Sequence, residues 1–279
     1  MGVVVVCSVL VLLALAAIVR WGGHAVEPPG DDGDTTPTAV ATRYIWAVTV
    51  AVAAGLASGV LLVGPAGRLA MRLLAATAGD GAQGKITEAE EVVGEITVDG
   101  TIGFVVFVGL AFGLASAGLY MIVRRWLPAG RLGGLVFGAL LLLAVAPVVD
   151  PLRKGNEDFD IVGPGWLAVL VFVALGLTQG MLVAALAGRF GRTLPAFSME
   201  RRVLLRYWPL LPLFPLVTPV AVVIVVGAVV VGLSRVVDGV RMRSRGVLVA
   251  GRVALAVGAA ATAPNFVSSV IDIAGRGPQ

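Results

Sequence analysis

The sequence predicts an all-α fold, a polytopic transmembrane helix bundle with six or seven spans and short loops. Hydrophobic residues make up 58% of the 279 residues and charged residues only 14%, with a mean hydropathy of +0.97. A typical soluble domain is about half apolar and about a quarter charged, and a disordered chain combines low hydrophobicity with high net charge. Both of these classes are therefore excluded.

Seven stretches reach or approach the roughly 20 apolar residues that a membrane helix needs. They are Val3–Val19, Tyr44–Gly64, Thr101–Val123, Gly133–Val149, Gly165–Ala187, Pro209–Leu233 and Val247–Ala263. Aromatic residues stand at the ends of five of them, as is typical of side chains at a membrane surface. The fourth stretch is short, and the seventh is the weakest because Arg252 lies within it.

Three regions follow from this division. Residues 1–21 are expected to form an N-terminal transmembrane anchor, and residues 22–43 a flexible linker rich in Pro, Gly and Asp. Residues 44–279 are expected to form a transmembrane helical bundle with polar loops at 65–100 and 150–165. No positive charge precedes the first apolar core, and Arg20 follows it, which favours an uncleaved anchor over a signal peptide.

The order of the charges favours an N-terminus outside the cell. Lys and Arg counted loop by loop give eleven on the inner side and nine on the outer side, so the positive-inside rule adds little. The conflict comes mainly from the basic loop Arg235–Arg245, which falls outside in a seven-span arrangement. It disappears if the Pro-rich sixth stretch is re-entrant or if the seventh lies on the membrane surface.

Residue counts exclude several kinds of chemistry. Cys7 is the one cysteine and His24 the one histidine, which excludes a disulfide, a structural zinc site and a histidine-based zinc hydrolase. No Asp or Glu lies within a predicted span, which counts against a proton-coupled pump. We therefore expect a protein that is not an enzyme and that holds no metal and no cofactor. The net charge is +4, but the basic residues lie at the ends of apolar runs rather than in a stripe, so no nucleic acid partner is expected.

Two polar loops contain the candidate site. In the first, Thr87-x-x-Glu90 has the spacing of a capping box and predicts a short helix with its glutamates on one side. Such a face can bind cations or a basic partner, or pair with nearby arginines; a solvated helix face is the more ordinary interpretation. In the second, Asn156, Asp158 and Asp160 alternate as in a calcium loop, but Ile161 stands where that loop needs glycine. A turn-rich loop is therefore favoured there.

The two loops lie on one side of the membrane in a seven-span arrangement, so we predict that they form one polar site. Its members are Arg68, Arg72, Glu88, Glu91, Glu95, Asp150, Asp158 and Asp160.

Small residues inside the spans predict how the helices pack. Four pairs of glycines have the GxxxG spacing that lets helices approach closely, and they are Gly55/Gly59, Gly109/Gly113, Gly134/Gly138 and Gly176/Gly180. We interpret them as packing seams within the chain, with homo-oligomerisation as the second possibility. Gln179 is expected to hydrogen-bond a neighbouring helix rather than a substrate. Four prolines at the start of the sixth stretch predict irregular backbone there and point to a pocket.

Four sequence segments resemble a group of multi-pass membrane proteins of actinobacteria. They are GRLAMRLLA, TEAEEVVGEITVDGT, DPLRKGNEDFDIVGPGW and GMLVAAL, and they fall between Gly64 and Ala187. The resemblance implies a location in the bacterial inner (cytoplasmic) membrane, and it implies no catalytic residue.

Three classes of function fit these features. The first is a structural, assembly or interaction protein of the bacterial cytoplasmic membrane, and we favour it. Its expected partners are the lipid bilayer and other membrane proteins or a second copy of the chain, bound through the GxxxG faces. The second is a transporter or channel-like protein that binds a small solute or cation. The third is a membrane enzyme acting on lipid-like substrates with paired carboxylates as acid and base.

Overall fold

The computed structural model describes residues 2–28, 36–88, 92–95, 97–149, 152–195, 197–198, 200–207 and 245–277. Over these residues the protein is all-helical. Its helices are α1 (Gly2–Trp21), α2 (Pro37–Ser58), α3 (Gly64–Thr77), α4 (Val98–Phe104), α5 (Leu110–Val123), α6 (Arg131–Ala144), α7 (Asp158–Ile161), α8 (Gly165–Thr193), α9 (Arg201–Tyr207) and α10 (Arg245–Ala274). Two π-helical turns, Gly59–Val63 and Val105–Gly109, join α2 to α3 and α4 to α5.

Five helical stretches of the described chain are long and apolar enough to cross a membrane. They are Gly2–Trp21, Thr42–Thr77, Val98–Trp126, Gly165–Thr193 and Arg245–Ala274. They contain the first, second, third, fifth and seventh predicted spans, each extended at one or both ends. The predicted sixth span, Pro209–Leu233, lies outside the described residues. The expected count of six or seven spans is therefore not confirmed.

The fourth predicted span, Gly133–Val149, is shorter than the sequence suggested. Its helix α6 has 14 residues and ends at Ala144. At about 1.5 Å per residue such a helix is roughly 21 Å long, short of the roughly 30 Å hydrocarbon core. Pro147 explains the early end, because proline has no N–H to donate and disfavours helical backbone at the preceding Ala146. The chain turns there, with the Val148 N–H donating to the Val145 carbonyl at 3.0 Å.

The glycine pairs face one another in two seams, which confirms the intramolecular interpretation. In the first seam, α2 and its π-helical turn lie against α5, and a Cβ added at Gly55 would be 2.7 Å from Leu114 Cα. In the second, α6 lies against α8, and a Cβ added at Gly138 would be 2.8 Å from the Gly176 carbonyl oxygen. A partner that used these faces would have to displace one helix from another.

The main core lies where α1, α2, α5 and α8 meet. Trp46, Val50 and Leu182 are fully buried in it. The Trp46 indole N–H also donates to the Leu194 carbonyl at 3.2 Å, which holds the first half of α2 beside the end of α8. The first helix packs against α8 and α3. Helix α2 begins at Pro37, capped by Thr36, within the stretch expected to be a linker.

The two ends of the bundle differ in charge. At one end of the bundle, α1, α5 and α8 finish and α2, α6 and α10 begin. We call this end the basic end. Arg131 at the start of α6 donates to the Val19 carbonyl at 2.8 Å, and Gly251 in α10 lies against the Trp126 indole. At the other end, the Gly165 N–H donates to the Arg276 carbonyl at 3.0 Å. Arg245 therefore lies at the basic end with Arg20, whereas the rest of the basic loop Arg235–Arg245 lies outside the described residues.

Candidate functional site

A polar cap covers the end of the bundle opposite the basic end. We define it as the described residues of 78–97, which join α3 to α4, and of 152–164, which join α6 to α8. Glu88 binds both loops together. Arg153 Nη2 donates to Glu88 Oε2 at 2.8 Å, and the Glu157 N–H donates to Glu88 Oε1 at 3.1 Å. The Glu88 N–H in turn donates to Asp158 Oδ1 at 2.8 Å.

The first loop of the cap is a hairpin rather than the predicted short helix. Ile86 and Val92 form an antiparallel bridge, and the Val93 N–H donates to the Lys85 carbonyl at 2.9 Å. Gly84 and Gly94 flank it with φ angles of +81° and +97°, which glycine adopts without strain. The prediction of a helix from Thr87 to Glu95 is therefore wrong, because the described residues on the two sides of 89–91 pair with each other. Arg72 Nη1 fastens the hairpin to α3 by donating to the Gly94 carbonyl at 2.8 Å.

The second loop uses its calcium-like spacing to build a turn. Asn156 is 3% exposed, and its Oδ1 accepts a hydrogen bond from the Asp158 N–H at 2.9 Å. This contact precedes α7, whose Phe159 is buried in a second apolar cluster beneath the cap. Arg276, which follows α10, then closes the loop: its guanidinium lies 3.3 Å from an Asp160 oxygen and 2.9 Å from an Asp272 oxygen. Among the described residues no group of three His, Cys, Asp or Glu is placed to hold a metal ion.

Arg68 lies inside the bundle, one helical turn before Arg72. It is only 4% exposed, its Nε donates to Thr101 Oγ1 at 3.4 Å, and its guanidinium lies 5.6 Å from the centre of the Phe104 ring. A hydroxyl and an aromatic face both stabilise a buried guanidinium. Arg68 therefore holds α3 against α4, below the cap.

The structure thus brings together part of the predicted site. Glu88 and Asp158 are bonded directly, Asp160 belongs to the same loop as Asp158, and Arg72 reaches the hairpin. The Glu95 side chain is exposed on the hairpin. Glu91 and Asp150 lie outside the described residues.

Sequence reasoning did not include the cations that complete the cap, Arg153 and Arg276. Each pairs with a carboxylate far away in sequence, Arg153 with Glu88 and Arg276 with Asp160. No local pattern marks such a pair.

A second polar group lies within the spans. Gln179 of α8 is 5% exposed, and its Nε2 donates to Ser58 Oγ at 3.1 Å and to Ser116 Oγ at 2.8 Å. Gln179 thus connects α8 to α2 and α5, which confirms that it bonds neighbouring helices. Both serines donate to carbonyls of their own helices, at 3.0 Å and 2.9 Å. Gln179 Oε1 is buried and has no hydrogen-bond partner within the described ranges.

The cap therefore presents an ordered, charged and solvent-exposed surface on a closely packed helical base. Comparisons of the chain with protein-family models, with curated proteins and with solved structures find no match.

Proposed function

We propose that the protein is a structural or assembly protein of the bacterial cytoplasmic membrane that binds another membrane protein through its polar cap. The observation that supports this proposal is the bonding of Glu88 to both loops. It holds charged groups from two distant parts of the chain in one fixed arrangement, while the Glu88 and Arg153 side chains stay 36% and 39% exposed. A fixed pattern of exposed charges gives a binding surface its specificity and orientation.

The spans form a base that suits this role. Both glycine seams bring backbones into contact, and Gln179 joins three helices through side-chain hydrogen bonds. Carboxylates of the described chain lie outside this packed centre, and those of Glu88 and Asp160 are paired with arginines. These features favour a scaffold over the coupled transporter and the enzyme.

The charge difference between the ends favours an orientation with the cap and the N-terminus outside. Basic residues concentrate at the end that the positive-inside rule assigns to the cytoplasm. In the described chain these residues are Arg20, Arg43, Arg124, Arg125, Arg131, Arg189, Arg192, Arg201, Arg202 and Arg245. The cap end holds fewer basic residues and most of the carboxylates.

The orientation is tested by labelling single cysteines in a Cys7→Ser background with a membrane-impermeant maleimide. Asp80→Cys reports on the cap and Glu27→Cys on the basic end, since both positions are exposed. We expect Asp80→Cys to react in intact cells and Glu27→Cys to react only after permeabilisation. The opposite pattern would place the cap in the cytoplasm.

The partner is tested by photo-crosslinking in native membranes, with a photoreactive amino acid at position 80 of the cap. We expect one discrete crosslinked product that weakens in Glu88→Ala, because that change releases both loops. Glu95→Ala is the matched control, since its exposed carboxylate accepts no hydrogen bond in the described structure. Crosslinking that is unchanged in Glu88→Ala, or equally weakened in Glu95→Ala, would contradict the proposal.

A second candidate, a channel-like protein or transporter for a small polar solute or cation, is favoured by one observation. Gln179 Oε1 is a buried acceptor without a partner among the described residues, and the π-helical turn Gly59–Val63 follows its partner Ser58 directly. Such turns are frequent at functional sites. This candidate predicts that Gln179→Leu abolishes the accumulation of a solute, whereas Thr178→Val on the exposed face of α8 does not. An unchanged accumulation profile in Gln179→Leu would reject it.

A further inference from the structure

An open depression of about 570 Å³, which we call the cavity, lies at the basic end and is lined by Arg20, Trp21, His24 and Arg189. It is remote from the polar cap, since it lies where α1 and α8 finish. Its wall comes from two helices that are long and apolar enough to span a membrane. The cavity is therefore placed at the level where a membrane helix emerges from the lipid.

The sequence builds this cavity through glycines. Gly22 and Gly23 follow Trp21, and the His24 N–H turns back to donate to the Trp21 carbonyl at 3.0 Å. His24 then lies on α8 at Gly188, where an added Cβ would be 2.7 Å from His24 Cβ. Only glycine admits this contact, which brings the histidine next to Arg189 and Arg192.

The charged side chains that line the described part of the cavity are both arginines, Arg20 and Arg189. The Arg189 guanidinium lies 5.6 Å from the centre of the Trp21 ring. Burial, together with the charges of Arg192 and Arg189, lowers the pKa of His24 below its ordinary value of 6.5. Within the described chain, Arg20, Arg189 and Arg192 form no ion pair, and neither does the nearby Glu27.

Cations close to one another repel, and the group gains from any anion that enters among them. Arginine binds phosphate with two parallel N–H donors, and a neutral histidine can donate as well. Nδ1 of His24 is buried and has no hydrogen-bond partner among the described residues. Tryptophan beside arginine is typical of the depth at which lipid headgroups lie.

We propose that this cavity binds a phosphate group, carried by the headgroup of an anionic phospholipid or by a soluble phosphate ligand. The guanidinium groups of Arg20 and Arg189 bind the phosphate, and Trp21 packs against the part of the ligand next to it. Arg192, three residues after Arg189 in α8, adds positive charge nearby. Basic pockets between membrane helices bind anionic headgroups in this way. The site requires that α1 and α8 cross the membrane, and it does not depend on the cap having a partner.

The single histidine gives a direct readout, because a histidine-labelled sample shows only the His24 ring in its NMR spectrum. The full-length protein is placed in phosphatidylcholine nanodiscs with increasing fractions of phosphatidylglycerol. We expect the His24 signals to shift and to saturate as phosphatidylglycerol increases. In a second series, inorganic phosphate is added to phosphatidylcholine nanodiscs; saturation in this series alone would identify a soluble ligand and overturn the lipid source.

Variants separate the cavity from general attraction to the basic end. We expect Arg189→Gln and Arg192→Gln each to weaken binding about fivefold, the effect of one basic residue near an anionic surface. Arg201→Gln, exposed at the same end in α9, is the matched control and should leave the midpoint unchanged. Matching His24 signals in pure phosphatidylcholine show that a variant is folded. No shift in either series, or equal weakening in Arg201→Gln, would overturn the proposal.

Discussion

The seam between α6 and α8 makes Gly138→Ala a sharp test of how the spans are held together. An added Cβ would lie 2.8 Å from both the Gly176 carbonyl oxygen and Leu177 Cα. Both atoms belong to the backbone of α8, so neither can move aside as the end of a side chain would. Carbon atoms in good contact are about 3.5–4.0 Å apart. The helices must therefore separate locally by roughly 0.7 Å or more.

The expected change in the free energy of unfolding is the difference between two opposing effects. Overpacking of this kind costs about 1–3 kcal/mol, and replacing glycine by alanine inside a helix returns at most about 1 kcal/mol. Because both close atoms are backbone, we take the upper part of the first range, about 2–3 kcal/mol. We therefore expect Gly138→Ala to lower the free energy of unfolding by about 1–2 kcal/mol. Gly258→Ala in α10 is the matched control, because nothing lies within 4 Å of its added Cβ. It should be neutral or slightly stabilising.

Equilibrium unfolding by SDS in mixed micelles, followed by circular dichroism, measures both variants under the same conditions. Gly55→Ala in the other seam should behave like Gly138→Ala, since its Cβ would lie 2.7 Å from Leu114 Cα. Equal stabilities of Gly138→Ala and Gly258→Ala would show that the helices are not in backbone contact there, and the seam interpretation would fail.

Three further changes test other contacts. Gln179→Leu removes two hydrogen bonds between helices. At about 0.6 kcal/mol each, this should lower the free energy of unfolding by about 1 kcal/mol in the same assay. Thr178→Val should change it little, because the Thr178 hydroxyl bonds its own helix. A double-mutant cycle of Glu88→Gln and Arg153→Gln should give a coupling of about 0–1 kcal/mol that shrinks in 1 M salt, as for other exposed pairs; a salt-independent coupling would contradict this. Burial and two neighbouring arginines lower the pKa of His24 in the folded protein. As the pH falls through 6.5, the unfolded chain therefore binds the proton first, and the free energy of unfolding should decrease from pH 7.5 to 5.5. His24→Gln should remove this pH dependence.

Packing within the spans was predictable from the sequence because its signals are local. The GxxxG spacing places two glycines on one helix face whatever lies opposite, and Gln179 in an apolar stretch requires a polar neighbour. The serines that bind Gln179 were not predictable, since Ser58 and Ser116 each look like ordinary small residues. The length of α6 was overestimated because hydropathy does not register the effect of Pro147 on the backbone.

The cap was predictable in composition but not in geometry. Acidic residues at helical spacing after Thr87 predicted a helix. The structure instead has a hairpin, in which Gly84 and Gly94 adopt positive φ angles. These conformations depend on tertiary contacts such as that of Arg72 with the Gly94 carbonyl. The three partners of Glu88 lie 65, 69 and 70 residues away, and a single sequence contains no signal that links them.

The packing of α1 against α8 has a consequence for the order of events during synthesis. Helix α8 begins roughly 140 residues after α1 ends, an interval of about 7–30 s at the usual rate of about 5–20 residues per second. Throughout that time the side of α1 that later packs against α8 lacks this neighbour, although α3 can cover another side earlier. Helix α1 is the most apolar of the five long helices, and α10, which joins an assembled bundle, is the least apolar. The mean hydropathy is therefore highest, at 3.1, in the helix that waits for α8 and lowest, at 1.7, in the helix that arrives last.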